Sequence, residues 1–278
     1  MRAGTLYVVA TPLGNLGDLS PRAAEVLRSV AVVAAEDTRR SRGLLTHLDA
    51  APRLLSFHAH SGERRAEQLV ALLAEGQDVA LVTDAGTPAI SDPGAELVAA
   101  ARAAGHAVVP VPGPSAVATA LSAAGLGGDR YLFLGFLPRK GSERARLLQR
   151  AAREEWPVVC FEAANRLVEL LEELAALAGP DRAAVVAREL TKLHEELRAG
   201  TLASLAGHYA ATEPRGEVTL VLAGSGAPEA PPDRTEEARD AARRWLAEGA
   251  SRKDVAQRVA EAFGVPRNDA YRLVQELA

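Results

Sequence analysis

Three short apolar runs in the first 115 residues each break into a loop rich in glycine and proline, and this rhythm leaves few folds open. Residues 79–82 run into Thr83 and Asp84, then Gly86-Thr87-Pro88, then the turn Ser91-Asp92-Pro93-Gly94, before a helical stretch at 95–104. The loop at 10–18, ATPLGNLGD, follows the apolar run 6–9, and the loop at 110–116, PVPGPSA, follows residues 108–109. Hydrophobic pattern predicts strands at 6–9, 31–34, 54–57, 79–82 and 107–109, and helices at 21–28, 39–48, 62–74, 95–104 and 115–123. Ser20 before Pro21 is a cap followed by a first-turn proline. Strands alternating with helices predict a parallel sheet covered on both faces. Such sheets bind ligands at the carboxyl ends of their strands, where these loops fall.

From residue 131 the spacing changes, with strands predicted at 131–135, 158–161, 183–187 and 217–223 and helices at 142–154, 166–177 and 202–211. The expected fold class is α/β: two α/β domains with a cleft between them, plus a small helical module. The expected boundaries are 1–122, 123–224, a linker at 225–234, and a three-helix, helix-turn-helix-like module at 235–278. Its helices are predicted at 235–248, 252–263 and 266–277, with Ser251 as a cap and Asp254 three residues on.

Bulk properties exclude several classes. No apolar run reaches the roughly 18–20 residues of a membrane-spanning helix, and with Met1-Arg2-Ala3-Gly4 leading straight into a strand no signal peptide is expected. The single cysteine, Cys160, excludes an intramolecular disulfide and a multi-cysteine metal site, and its apolar strand points to packing. A cytoplasmic protein is expected. The net charge of −4 gives no global attraction to nucleic acid, so any such binding needs a local patch. The densest basic stretch is Arg139, Lys140, Arg144, Arg146, Arg150 and Arg153, on which RNA phosphates or plain solvent are both reasonable partners. His58 and His60 share one side of an extended segment without a third ligand, so no metal is expected.

No GxGxxG follows the first strand, and Walker A, HExxH and GxSxG are absent. Glycine lets backbone approach a ligand closely, and proline stiffens the loop that does so. Taken together, the three loops resemble those of the class III, tetrapyrrole-methylase-like methyltransferases. The runs LYVVATPLGNLGDLSPRA (6–23), AEDTR (35–39), VTDAGTPAISDPG (82–94), VPVPGPSAVATALSAAGL (109–126), FLGFLPRK (133–140) and VARELTK (186–192) narrow this. They are similar to the 16S ribosomal RNA cytidine 2′-O-methyltransferases, over about residues 4–223.

The resemblance implies S-adenosylmethionine as cofactor, lying between the two domains. It implies contacts from Pro12 and Leu13, from Asp84, Ala85, Gly86, Thr87, Pro88 and Ile90, and from Ser115 and Ala116. It implies a homodimer, and 16S rRNA in the small ribosomal subunit as partner, with neither membrane nor DNA involved. Two segments depart from the family pattern. Glu162-Ala163-Ala164-Asn165-Arg166 stands where E-S-P-H-R is usual, and His58-Ala59-His60-Ser61-Gly62 where H-x-H-N-E is usual.

Methyl transfer to a ribose hydroxyl calls for alignment and for a group that removes the proton. Glu36 and Asp37, at a strand end, are the candidates, with a helix N-terminus as the structural alternative. Arg39, His58, His60, Arg139, Lys140, Arg166 and Lys192 are the candidate RNA contacts. Arg188 and Glu189 either line the cleft or form an ion-pair network. A tetrapyrrole C-methyltransferase and a non-catalytic SAM- or RNA-binding protein are the alternatives.

Overall fold

A computed structural model describes residues 2–58, 61–212, 214–226, 235–263 and 267–277. It divides into two compact units, Met1–Ser225 and Gly226–Ala278.

The first unit begins with five parallel strands, β1 (Thr5–Val9), β2 (Val32–Ala35), β3 (Arg53–Ser56), β4 (Val79–Val82) and β5 (Ala107–Val111), in the order β3-β2-β4-β1-β5. Every residue of β2 and β4 is buried. That explains their unbroken apolar character, since a strand covered on both faces has no polar side to alternate. Pro110 lies in β5, the edge strand, where a missing N–H is tolerated. One face of the sheet packs Leu69, Leu73 and Leu97 against Leu6 and Leu81, and the other packs Leu27, Leu45 and Leu48 against Val9, Val33 and Val82. These side chains come from helices α1 (Pro21–Ser29), α2 (Thr38–His47), α3 (Gly62–Ala74) and α4 (Ala95–Ala103), and from Leu48, which caps α2.

The next helix, α5 (Ala116–Ala124), leaves the first sheet but packs on the second, with Val117, Ala120 and Leu121 against Val159, Val185 and Val221. The second sheet is mixed. Its strands β6 (Leu132–Phe136), β7 (Val158–Ala163), β8 (Ala183–Arg188), β9 (Glu196–Thr201) and β10 (Glu217–Leu222) run in the order β6-β7-β10-β8-β9. Only β6 and β7 pair in parallel. Helices α6 (Ser142–Arg153), α7 (Leu167–Ala178) and α8 (Leu202–Ala211) cover its far face around Leu167, Leu170, Leu171 and Leu202. The sequence pattern gives no sign of β9. None of its residues ELRAGT, on the sheet edge, is buried, so no buried face imposes alternation.

The second unit holds α9 (Thr235–Ala247), α10 (Arg252–Phe263) and α11 (Arg267–Glu276) around Ala238, Ala242, Val255, Val259, Ala270 and Val274. Ser251 Oγ accepts from the Asp254 amide at 3.2 Å and lies 2.7 Å from its carboxylate, as the cap spacing predicts. Pro266, the predicted start of the last helix, lies outside the described residues.

Candidate functional site

The three glycine- and proline-rich loops are bonded to one another at the carboxyl edge of the first sheet. Thr11 and Gly86 exchange backbone hydrogen bonds of 2.9 Å in both directions, and Thr11 Oγ1 donates to the Thr83 carbonyl at 3.1 Å. Thr87 Oγ1 donates to the Pro114 carbonyl at 3.1 Å. Gly86 has φ +87°, a left-handed turn conformation that selects glycine. The loop after β2 joins the same assembly through Asp84. Its carboxylate accepts from the Asp37 amide at 3.1 Å and pairs with Arg40 at 3.3 Å.

Between these loops and the second sheet lies a cleft of about 200 Å³. Leu13, Glu36, Arg40, Asp84, Ala85, Asp92 and Ala116 line it from the first sheet's loops and the start of α5. Phe136, Phe161, Ala187, Glu189, Leu190, Lys192 and the 217–219 segment line it from the second. A neighbouring hollow is lined by Thr11, Pro12, Leu13, Thr83, Asp84 and Arg40. Thr83 is buried there, and among the described residues its hydroxyl has no hydrogen-bond partner.

The cleft is crowded with carboxylates. Burial, opposed by the Asp84 amide and helped by the Asp84 charge, raises the pKa of Glu36. Burial, then the charges of Glu36, Glu217 and Asp84, raise Asp92 to about 7. Asp37 behaves in the opposite way. It caps α2 through the Arg39 amide at 2.8 Å and grips the Arg39 guanidinium at 2.7 Å. Hydrogen bonds from Arg39 hold its pKa down at about 2.

Of the residues expected at the site, Leu13, Glu36, Asp84, Ala85, Ala116 and Lys192 line the cleft, and Pro12 lines the adjoining hollow. Gly86, Thr87 and Pro88 build the loop that borders it, Ile90 is 46% exposed on that loop, and Ser115 caps α5. The exposed Arg39 guanidinium lies against Asp37. His58 donates its amide to Ser61 Oγ, and His60 lies outside the described residues. Arg139 and Lys140 border a different hollow, between α6 and α7.

Arg166 is not in the cleft. It pairs with Glu162, which is fully buried and also holds Arg144 at 3.2 Å. Arg144 reaches Glu173 and the Pro138 carbonyl as well. This corrects its place in the basic stretch, since at 4% exposure it offers no surface to RNA. Glu189 lines the cleft and pairs with Lys192 at 3.0 Å, whereas Arg188 pairs with Glu196. Cys160 is buried, and burial pushes its thiol up to about 12.

Sequence reasoning missed Phe136, Phe161, Glu217 and Asp92. Asp92 stands in the 82–94 motif, where the sequence alone shows only a turn. Among the described residues, no group of three or more His, Cys, Asp or Glu side chains is placed to hold a metal ion.

Residues 5–206 match the family described as Tetrapyrrole (Corrin/Porphyrin) Methylases. A protein of Synechocystis sp. called ribosomal RNA small subunit methyltransferase I is 44% identical over 99% of this chain and 98% of its own length. Proteins of the same designation from Xylella fastidiosa (Temecula1) and Escherichia coli O157:H7 are 50% and 46% identical. They cover 80% and 81% of this chain, and 82% and 80% of their own lengths. Among solved structures, a cobalt precorrin-4 methyltransferase superposes with TM-score 0.62 at 20% identity, covering 81% of this chain and 96% of its own. A uroporphyrin-III C-methyltransferase from Thermus thermophilus, complexed with S-adenosylhomocysteine, superposes with TM-score 0.59 at 20% identity, covering 80% and 98%. At that identity the likeness is one of fold.

Proposed function

The chain belongs to the ribosomal RNA small subunit methyltransferase I family, within the tetrapyrrole methylases, and from that premise we propose that it methylates the 2′-hydroxyl of a cytidine in 16S rRNA. It is an S-adenosylmethionine-dependent methyltransferase acting on small-subunit ribosomal RNA.

The residues present fit the methyl donor. The cleft lining carries Glu36, Asp84, Asp92, Glu189 and Glu217 against only Arg40 and Lys192, an excess of negative charge that suits a sulfonium and an ammonium group. Thr83 leaves a buried hydroxyl beside the Pro12-Leu13 loop for a polar contact. When bound, S-adenosylmethionine supplies a methyl group already activated as a sulfonium. We assign its binding to Pro12, Leu13, Asp84, Ala85, Gly86, Thr87, Pro88, Ile90, Ser115 and Ala116. The hydrogen bonds through Thr11 and Thr87 fix these loops before binding, which lowers the ordering cost.

One observation carries the choice of a ribose over a tetrapyrrole: the cleft is lined by carboxylates. A porphyrin precursor bears several carboxylates of its own and is repelled there, whereas a ribose hydroxyl is neutral. Phosphates are met at the rim, where Arg39 and Arg40 are exposed. Glu36 faces the cleft and is assigned to orient the hydroxyl, whereas Asp37 is occupied as a helix cap. Lys192 is assigned to substrate at the cleft, and Arg139 and Lys140 to RNA beyond it. We place the two halves of the first unit as domains at 1–122 and 123–224, sharing α5, and expect a cytoplasmic homodimer. Among the described residues no helix is long and apolar enough to cross a membrane.

The test uses S-adenosylmethionine carrying a labelled methyl, with small and large ribosomal subunits lacking the modification, followed by alkaline hydrolysis. A 2′-O-methyl blocks cleavage at its own linkage, so label in an alkali-resistant dinucleotide from the small subunit supports ribose methylation. Label in mononucleotides moves the chemistry to a base. No label on RNA, with the donor still bound, removes the proposal.

A further inference from the structure

Aromatic residues make up only 4% of the chain, and most of them are covered. Among the described residues four are exposed: Tyr131, Phe136, Trp156 and Tyr271. Three of these belong to one β-α-β unit. Tyr131 precedes β6, Phe136 ends it, and Trp156 lies in the turn between α6 and β7. The Leu132 amide donates to the Pro157 carbonyl at 2.9 Å, which holds the Trp156 turn beside the start of β6. The exposed Arg130 guanidinium lies over the Trp156 ring, 5.4 Å from its centroid. β6 is an edge strand, so no further strand of the sheet covers its outer side.

The helix of the same unit supplies charge. α6 turns Leu148 and Ala151 into the core that holds Leu132 and Leu134, and Ala145 and Gln149 toward Glu169 and Glu173 of α7. Arg146, Arg150 and Arg153, spaced by four and three residues, share the remaining face and are exposed. Glu143 stands 4.0 Å from Arg146. Among the described residues, no ion pair engages Arg150, Arg153, Arg139 or Lys140. β6 and β7 are parallel, so α6 runs back along β6. The 12 residues of α6 and the 5 of β6 each span roughly 17–18 Å. Cations and rings therefore accompany each other from Arg139 and Phe136, which lines the cleft, to Arg153 and Trp156 at the far end.

We propose that β6 and α6 form a track for single-stranded RNA leading to the cleft, with bases stacked on Tyr131 and Trp156 and phosphates met by Arg146, Arg150 and Arg153. The proposal deepens the RNA reading above and rests on it. The acidic cleft repels phosphates, so the strand that carries the target ribose has to be held outside it. A duplex cannot enter a cleft of about 200 Å³, so the target nucleotide comes from an unpaired segment. Unpaired bases stack on aromatic faces, while a row of cations follows the backbone. A second copy of this chain fits the patch poorly. In a two-fold dimer the patch meets itself, and its arginines would face arginines.

The experiment uses wild type, Trp156→Ala, Trp156→Phe and the triple variant Arg146→Gln, Arg150→Gln, Arg153→Gln. It measures binding of a fluorescein-labelled single-stranded RNA of about 12 nucleotides at several salt concentrations, and methylation of unmodified small subunits. Trp156→Ala is expected to weaken RNA binding by about 5–100-fold with the salt slope unchanged, and Trp156→Phe to recover most of it. The triple variant should flatten the salt slope by about 2, at roughly 0.7 per phosphate contact. In methylation, Trp156→Ala and the triple variant should raise KM for the subunits and keep kcat and S-adenosylmethionine affinity within about threefold. If both bind the oligonucleotide and the subunits within about twofold of wild type, the track is overturned and the charges are a solvated helix face. Conversion of a dimer to a monomer by Trp156→Ala in sedimentation also overturns it, and assigns the patch to a second copy. A wild type that binds the oligonucleotide but labels no subunit, with the variants behaving as expected, supports the track and overturns only the methylation reading. A wild type that binds no RNA overturns both.

Discussion

Glu36 and Asp37 are adjacent in the chain, yet the turn out of β2 sends one carboxylate to the cleft and the other to the N-terminus of α2. Asparagine caps a helix about as well as aspartate. Asp37→Asn is therefore expected to keep turnover within about threefold and melting within about 2 °C; a hundredfold loss of turnover with donor binding intact would make Asp37 part of the chemistry. Asp92 has the opposite character. Its folded pKa of about 7 exceeds the ordinary 3.8, so folding is favoured while it is protonated and loses that support as pH rises between these values. Asp92→Asn removes the cost, discounted here because the side chain is half-exposed. The variant is expected to melt higher than wild type by roughly 2–4 °C at pH 8, and by less at pH 5. Thermal melts at both pH values check it, and an equal shift at both would contradict the linkage. Neither property is legible in the sequence. The string SDPG reads as a turn, and only the second sheet, folded against it, shows where its carboxylate goes.

The same limit appears where α6, α7 and β7 meet. Arg144 reads as one charge of a basic run and Glu162 as part of a family motif, yet both are buried and bonded to each other, with Arg166 and Glu173 completing the network. Burial of a charge depends on partners distant in sequence, which local pattern does not carry. Removing one member leaves the others desolvated and uncompensated, so Glu162→Ala is expected to cost about 3–5 kcal/mol in urea unfolding. A loss under 1 kcal/mol would mean that Arg144 and Arg166 find water. The network also involves both ends of the 162–166 segment. Glu162 and Arg166, the ends that match, make the ion pair, and the changed residues lie between them. The βα order of the first sheet was legible because its buried strands are apolar runs and the loops after β1, β4 and β5 carry glycine and proline. The exposed edge strand β9 was not, and nothing in the composition of α5 shows that it crosses to the second sheet. The loop contacts make their own prediction. Thr87→Val deletes the bond to the Pro114 carbonyl, worth about 0.5–1.5 kcal/mol. Calorimetry should show donor affinity falling by about 3–10-fold if that bond holds the loops in their binding shape. Unchanged affinity would assign the loop geometry to the Thr11–Gly86 pair alone.

All residues that line the cleft and its adjoining hollow belong to the first unit, Met1–Ser225, and the helical unit closes a core of its own around Val255, Val259 and Val274. Two cores in one chain need not melt together. The helical unit is small, and a single core of about 50 residues sustains only a few kcal/mol. Calorimetry of the whole protein is expected to show two transitions, the lower one from α9–α11. A chain ending at Ser225 should lose only that lower transition and bind S-adenosylmethionine within about twofold of the full chain. Donor binding adds stability only to a unit that contains the site, so saturating S-adenosylmethionine should raise the upper transition and leave the lower one in place. Should the donor shift both transitions together, or should truncation weaken binding tenfold, the cofactor site would have to extend to the C-terminal helices. The charge balance of −4 also leaves RNA attraction to local patches rather than to the protein as a whole. Comparing the truncated and full chains on small subunits at two salt concentrations would therefore separate the two units. A salt slope that survives truncation places the phosphate contacts on the first unit, with the cleft.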